Sequence, residues 1–151
     1  MMTRFSPRRA ALVAPLALSL TLLAACGDSN PVDVDPADSV ASVRLTLTNT
    51  MATVVTIAEG GAVTGGPVVL PAGATTVAVS FLNAEGQLVG GLDEFELRLV
   101  PANAALVSFT RTGPFTGRLP RLAAGTTTLD VQLYHVLEGH ADRNWSLPVT
   151  M

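Results

Sequence analysis

The strongest constraint on the fold is an alternation of apolar and polar residues that begins near residue 40. In "SVRLTLT", which starts at Ser42, every second residue is a large apolar one, and similar alternation recurs in "TTVAVSF", "FELRLV" and "TLDVQLYHV". A period of two is typical of β-strands that bury one face. No segment after residue 26 has the period of a helix. The sequence therefore predicts an all-β domain.

Turn-forming residues divide these segments from one another, as in "PAG" at 71–73 and "NAEGQ" at 83–87. The pattern indicates about eight short strands. The first two, "SVRLTLT" and "ATVVTIA", are close enough in sequence to form a hairpin. We therefore expect one antiparallel β-sandwich over residues 40–151, a length of about 110 residues that buries a substantial core.

The N-terminus has the pattern of an export signal. Arg4, Arg8 and Arg9 precede an apolar run that ends at Ala25, and a positive segment followed by a short apolar one is typical of signal peptides. The run is shorter than the roughly 20 residues that a membrane-spanning helix needs. Residues 1–25 are therefore predicted to be a signal peptide.

The junction "LAAC" ends at Cys26, the one cysteine of the chain, and it resembles the bacterial lipobox. The resemblance implies cleavage before Cys26 and covalent lipid, such as palmitate, on that residue. It also implies export to the cell envelope and attachment to a membrane through the lipid. Because Gly27 rather than aspartate follows, it favours the outer membrane or the cell surface. The alternative is a buried cysteine, which has no partner in the chain for a disulfide.

Residues 26–39 are rich in proline and aspartate, a composition typical of a solvated linker. Removing Arg4, Arg8 and Arg9 with the signal lowers the formal net charge by three, from −3 to −6. The chain has no lysine, since all nine basic residues are arginine. An acidic domain does not favour nucleic-acid binding, because the phosphate backbone repels it. We therefore predict no nucleic-acid partner.

From Pro71 to Met151 the succession of strands and turns resembles a bacterial immunoglobulin-like domain of group 2. The segment "LAAGTTTLDV" at 122–131 is its most diagnostic part. The resemblance implies an immunoglobulin-like antiparallel β-sandwich, to which residues 40–65 add an extra N-terminal hairpin. It also implies a non-enzymatic interaction or structural module, whose protein or glycan partner stays open.

Both histidines of the chain lie in one short segment, "YHVLEGHADRNW". His135, Glu138, His140 and Asp142 have side chains that suit zinc, copper or nickel. On a continuous strand the two histidines would face opposite ways, so convergence requires a turn or a bulge after Val136. The alternatives are a metal-binding lipoprotein and an ordinary polar loop between the last two strands.

The sequence contains no nucleophile elbow, phosphate loop, paired cysteines or zinc-protease helix. We therefore predict that the protein is not an enzyme. Arg111, Arg118 and Arg121 are candidates for recognising an anionic glycan or carboxylate. The alternative is that they are solvated or paired with carboxylates of the domain itself.

Overall fold

Ten β-strands make up most of residues 35–48, 54–65 and 67–151, the part of the chain that the computed structural model describes. The strands are β1 (Ser42–Leu47), β2 (Val54–Ala58), β3 (Val63–Thr64), β4 (Val68–Val69), β5 (Ala74–Leu82), β6 (Phe95–Pro101), β7 (Thr110–Gly113), β8 (Thr116–Pro120), β9 (Thr126–His135) and β10 (His140–Thr150). A short 3₁₀ helix, Pro36–Ser39, precedes β1. The predicted signal peptide and Cys26 lie outside the described residues.

In those described ranges, no helix has the length and apolar character needed to cross a membrane.

The strands form two sheets. One sheet has six strands in the order β3-β2-β1-β5-β8-β7, and the other has four in the order β4-β10-β9-β6. Neighbouring strands pair antiparallel, except that β4 runs parallel to the end of β10. The predicted all-β sandwich class is confirmed.

The core lies between the two sheets and is built mainly from valine and leucine. Along β9 burial alternates as the sequence predicts, and Leu129, Val131 and Leu133 are fully buried. Burying each such side chain contributes about 1.5–3 kcal/mol. Phe81 of the six-stranded sheet contacts Trp145 of the four-stranded sheet, with ring centroids 5.8 Å apart. The inner faces of both sheets therefore form one continuous core.

The predicted N-terminal hairpin is present as β1 and β2, which pair from Ser42 with Ala58 to Thr46 with Val54. It is not an appendage, because β1 also pairs with β5 along its whole length. Buried Val43 and Leu45 explain this position, since their alternation gives β1 a core face of its own. The hairpin is therefore part of the sandwich.

Residues 35–39, the described part of the predicted linker (26–39), contain a short 3₁₀ helix that packs on the sandwich. Asp35 caps the 3₁₀ helix by accepting a hydrogen bond from the Ala37 backbone N–H (2.9 Å), and Pro36 suits its first position. Ala37 is only 2% exposed. Arg143 of β10 donates to the Ala37 carbonyl (3.2 Å). The composition of this segment is typical of a solvated chain, yet the 3₁₀ helix packs on the sandwich through the buried side chain of Ala37.

Candidate metal centre

The β9–β10 hairpin brings the two histidines together. β9 ends at His135, residues 136–139 form the turn, and β10 begins at His140, directly opposite His135. The Gly139 N–H donates to the His135 carbonyl (3.0 Å) and closes the turn. Gly139 has a φ of 76°, in the left-handed region that glycine adopts without strain. The structure therefore contains the turn that the two histidines need in order to lie close together.

A β-bulge sets the register of the hairpin. Arg143 pairs with Leu133 and Ala141 pairs with Tyr134, which leaves Asp142 as an extra residue in β10. If the regular pairing of Arg143 with Leu133 continued without the bulge, Asp142 would lie opposite Tyr134 and Ala141 opposite His135, and His140 would project from the other face of the sheet. The bulge therefore places both histidines on one face.

The four candidate side chains converge at this end of the sandwich. Nε2 of His140 lies 2.6 Å from Oδ1 of Asp142 and 3.4 Å from Oε2 of Glu138. Nδ1 of His135 lies 3.4 Å from Oε2 of Glu138 and 3.9 Å from Oδ2 of Asp142. We call His135, Glu138, His140 and Asp142 the hairpin cluster.

Several polar atoms of the hairpin cluster are buried without a hydrogen bond. Among the described residues these are Nδ1 of His135 and both carboxylate oxygens of Asp142. The 2.6 Å contact between Nε2 of His140 and Oδ1 of Asp142 is therefore close but lacks hydrogen-bond geometry. Leaving such groups unsatisfied costs about 1–3 kcal/mol each. A cation bound between them would supply the partner that these atoms lack.

The other side of the His135 imidazole contacts Glu94. Nε2 lies 3.3 Å from Oε2 of Glu94, in hydrogen-bond geometry, and the ring stacks on Phe95 with centroids 4.6 Å apart. Phe95 pairs with His135 in the β6–β9 ladder, which places Glu94 beside the imidazole. Sequence reasoning missed Glu94, because the pairing of β6 with β9 cannot be read from either segment alone.

Burial and the acidic neighbours of His135 shift the pKa of its imidazole in opposite directions. Burial of the imidazole opposes its protonation and is the largest single effect on its pKa. The hydrogen bond to Glu94 and the negative charges of Glu138 and Asp142 together outweigh it, so that the pKa of His135 is raised above its ordinary value. A proton therefore competes with any metal ion for this residue.

The spacing of three ligand atoms, from His135, Glu138 and Asp142, comes close to that of a tetrahedral metal ion, whereas the 2.6 Å contact of His140 with Asp142 is too short for two ligands of one ion. One such atom from each of His135, Glu138 and Asp142 lies within 4.8 Å of the other two. Metal–ligand bonds of about 2.0–2.2 Å in tetrahedral geometry place neighbouring ligand atoms about 3.3–3.6 Å apart. The contacts of 3.4 and 3.9 Å around His135 approach that spacing. Small side-chain movements would thus allow the group to hold zinc, copper or nickel.

The hairpin cluster is accessible from solvent. The His140 and Glu138 side chains are each 56% exposed. His135 also lines a cleft of about 450 Å³ together with Asp35, Pro36 and Asp93, and Asp142 lines a second cleft of about 370 Å³ beside Arg143. The side chains of His140 and Glu138 are therefore within reach of a hydrated ion.

The three arginines that the sequence nominates for recognising an anion do not converge on one site as the hairpin cluster does. Arg111 forms an ion pair with Glu96 (2.7 Å), and Arg121 donates to the Leu70 carbonyl (3.4 Å). Arg118 is exposed on β8. Two of the three arginines are thus engaged within the domain. The remaining predicted site residue, Cys26, lies outside the described residues.

Fold and site together define a β-sandwich protein with a candidate metal centre at one end. Comparison with known proteins found no matching family model, no similar curated protein and no similar solved structure.

Proposed function

We propose that this chain is an exported bacterial lipoprotein whose immunoglobulin-like β-sandwich acts by binding rather than by catalysis. In this proposal residues 1–25 are removed, Cys26 carries the lipid, and the following acidic residues connect the lipid to the domain. The outer membrane or the cell surface is the favoured location. The lipobox-like "LAAC" and the sandwich that follows it support the proposal.

The binding function that the site supports best is capture of a transition-metal ion. The observation that carries this proposal is the convergence of two histidines and two carboxylates, with buried lone pairs that have no hydrogen-bond partner. Imidazole and carboxylate ligands favour zinc, copper and nickel over calcium or magnesium, which prefer oxygen alone. A protein or glycan partner for the rest of the surface stays a separate proposal.

The linker joins the sandwich at the end that carries the hairpin cluster. Pro36 lines the same cleft as His135, and Arg143 holds the Ala37 carbonyl. A fully extended chain from Cys26 to Asp35 spans about 30 Å. A lipid on Cys26 would therefore restrict the cluster to a short distance from the membrane surface, where it could capture or deliver an ion.

Metal stoichiometry of the purified full chain tests this function. We expect about one equivalent of tightly bound zinc, copper or nickel, lost in His135→Ala and in His140→Ala. Asp130→Asn is the matched control, because this aspartate also lies on β9 but outside the hairpin cluster. Less than about half an equivalent in the parent, unchanged by the histidine variants, would exclude metal binding.

Membrane fractionation of Cys26→Ser tests the anchor independently of the metal. We expect the parent to pellet with membranes and the variant to be released. If the variant still pellets like the parent, lipidation of Cys26 is not what holds the protein there.

A further inference from the structure

We propose that Glu94 is a positioning residue that makes Nδ1 of His135 the metal-ligating nitrogen. The inference rests on the metal binding proposed above and adds a residue that lies outside the hairpin cluster. Glu94 would accept a hydrogen bond from Nε2–H of His135, and the lone pair on Nδ1 would then face Glu138 and Asp142.

The geometry around His135 fits this arrangement. The residue is only 9% exposed, and its ring stacks on Phe95 with an interplanar angle of 19°. Nε2 faces Glu94 at 3.3 Å, whereas Nδ1 faces Glu138 at 3.4 Å. The imidazole therefore lies between Glu94 on its Nε2 side and the carboxylates of Glu138 and Asp142 on its Nδ1 side.

The backbone holds Glu94 beside the hairpin. The Val136 N–H donates to the Glu94 carbonyl (2.9 Å), and the adjacent Phe95 pairs with His135. The turn that follows His135 is therefore tied to the residue that contacts its ring. The Glu94 side chain is 63% exposed, but the backbone pairing of β6 with β9 holds its Cα beside the hairpin.

The chemistry follows from the proton inventory of imidazole. A neutral imidazole has one N–H donor and one acceptor nitrogen, and an ionised carboxylate only accepts. With Glu94 accepting from Nε2, the proton is on Nε2 and the lone pair is on Nδ1. Nδ1 is also the atom that is buried without a hydrogen-bond partner. Metal-ligating histidines commonly donate their other N–H to a carboxylate, which orients the ring and raises its basicity.

Zn²⁺ affinity of the full chain, measured by chelator competition, tests the role of Glu94. We expect Glu94→Ala to weaken binding about 10–100-fold, the effect of losing such a partner. Glu94→Gln keeps an acceptor oxygen and should lose much less. Asp93→Asn is the control, because Asp93 lines the same cleft but has no contact with His135 among the described interactions.

Nitrogen NMR of the Zn²⁺-loaded histidines gives a readout that a merely structural role would not move. In the parent we expect His135 to carry its proton on Nε2 and the metal on Nδ1. Ligation through Nε2 would overturn the inference, as would a Glu94→Ala variant that binds like the parent. Either result leaves the metal function intact if the parent binds zinc, whereas a parent that binds none removes both proposals.

Discussion

His135 and His140 lie directly opposite each other at the end of the β9–β10 ladder, with ring centroids 6.4 Å apart. Two features of the chain produce this relationship. Gly139 allows the turn to close, and Asp142 adds the extra residue that shifts the register. Both histidines consequently share a face with the two carboxylates that flank them in sequence.

Replacing Gly139 tests the contribution of the turn. Its φ of 76° is costly for other residues, although an added Cβ would meet only the Tyr134 hydroxyl at 3.8 Å. We expect Gly139→Ala to lower the free energy of unfolding by about 1–2 kcal/mol. Gly139→Asn should cost less, because asparagine tolerates this region better.

Gly90→Ala is the matched control for the turn variant. Gly90 has no left-handed φ, and an added Cβ there would contact nothing within 4 Å. Urea denaturation should show little change for Gly90→Ala. Equal effects of the two alanine variants would mean that the backbone conformation of Gly139 is not what limits the turn.

Core truncation tests the sandwich itself. Leu133 is fully buried between the sheets, so Leu133→Ala removes apolar contacts and leaves a cavity. We expect a loss of about 2–5 kcal/mol in the free energy of unfolding. Fluorescence of Trp145, the one tryptophan of the chain, reports the transition. Leu88→Ala, at a side chain that is 72% exposed, should change stability by no more than about 0.5 kcal/mol.

Local patterns predicted the strands better than they predicted the ends of the strands. Alternation along β1, β6 and β9 fixed which side chains enter the core, because burial of one face determines the period. The polar "HADRN" at 140–144 has the composition of a loop, but β10 begins at His140 and includes these residues. Strand pairing overrides that composition, as the backbone of these residues bonds to β9.

The candidate site was only partly predictable, because part of its geometry depends on how the strands pair. The four residues of the hairpin cluster are close in sequence and carry suitable ligands, so the composition of the segment was enough to nominate them. The bulge at Asp142 depends on the register between two strands, and the contact of Glu94 depends on β6 pairing with β9. Neither register is encoded in a single segment.

The raised pKa of His135 predicts a pH dependence of stability. Because the folded protein binds this proton more tightly than the unfolded chain does, protonated His135 stabilises the fold. That contribution is complete below the ordinary pKa of histidine and is lost as the pH rises through the raised value. Between the ordinary pKa of histidine, 6.5, and the raised value, metal-free parent protein should therefore lose stability relative to His135→Gln as the pH rises.

Denaturation of the parent and of His135→Gln at several pH values measures this difference directly. Titration of the His135 ring signals by NMR supplies the folded-state pKa independently. A stability difference that stays constant with pH would contradict the prediction, as would a folded-state pKa below the ordinary value.

Asp142→Ala is expected to separate stability from metal binding. Both oxygens of the Asp142 carboxylate are buried without a hydrogen-bond partner. At about pH 8, removing the carboxylate from the metal-free protein should therefore raise the free energy of unfolding by about 1–3 kcal/mol. With Zn²⁺ at 100 times its dissociation constant the parent should gain about 2.7 kcal/mol, whereas the variant should gain much less.

Asp130→Ala is the control for the loss of one negative charge, since Asp130 lies on β9, paired with Ser146 in the ladder and outside the hairpin cluster. It should alter neither the metal-free stability nor the gain with Zn²⁺. If Asp142→Ala instead destabilises the metal-free protein and keeps the full gain with Zn²⁺, Asp142 is a structural residue of the bulge. If Asp142→Ala instead raises the metal-free stability and loses the gain with Zn²⁺, Asp142 is a metal ligand. The buried carboxylate has no hydrogen-bond partner in the metal-free fold, and a bound cation would provide one.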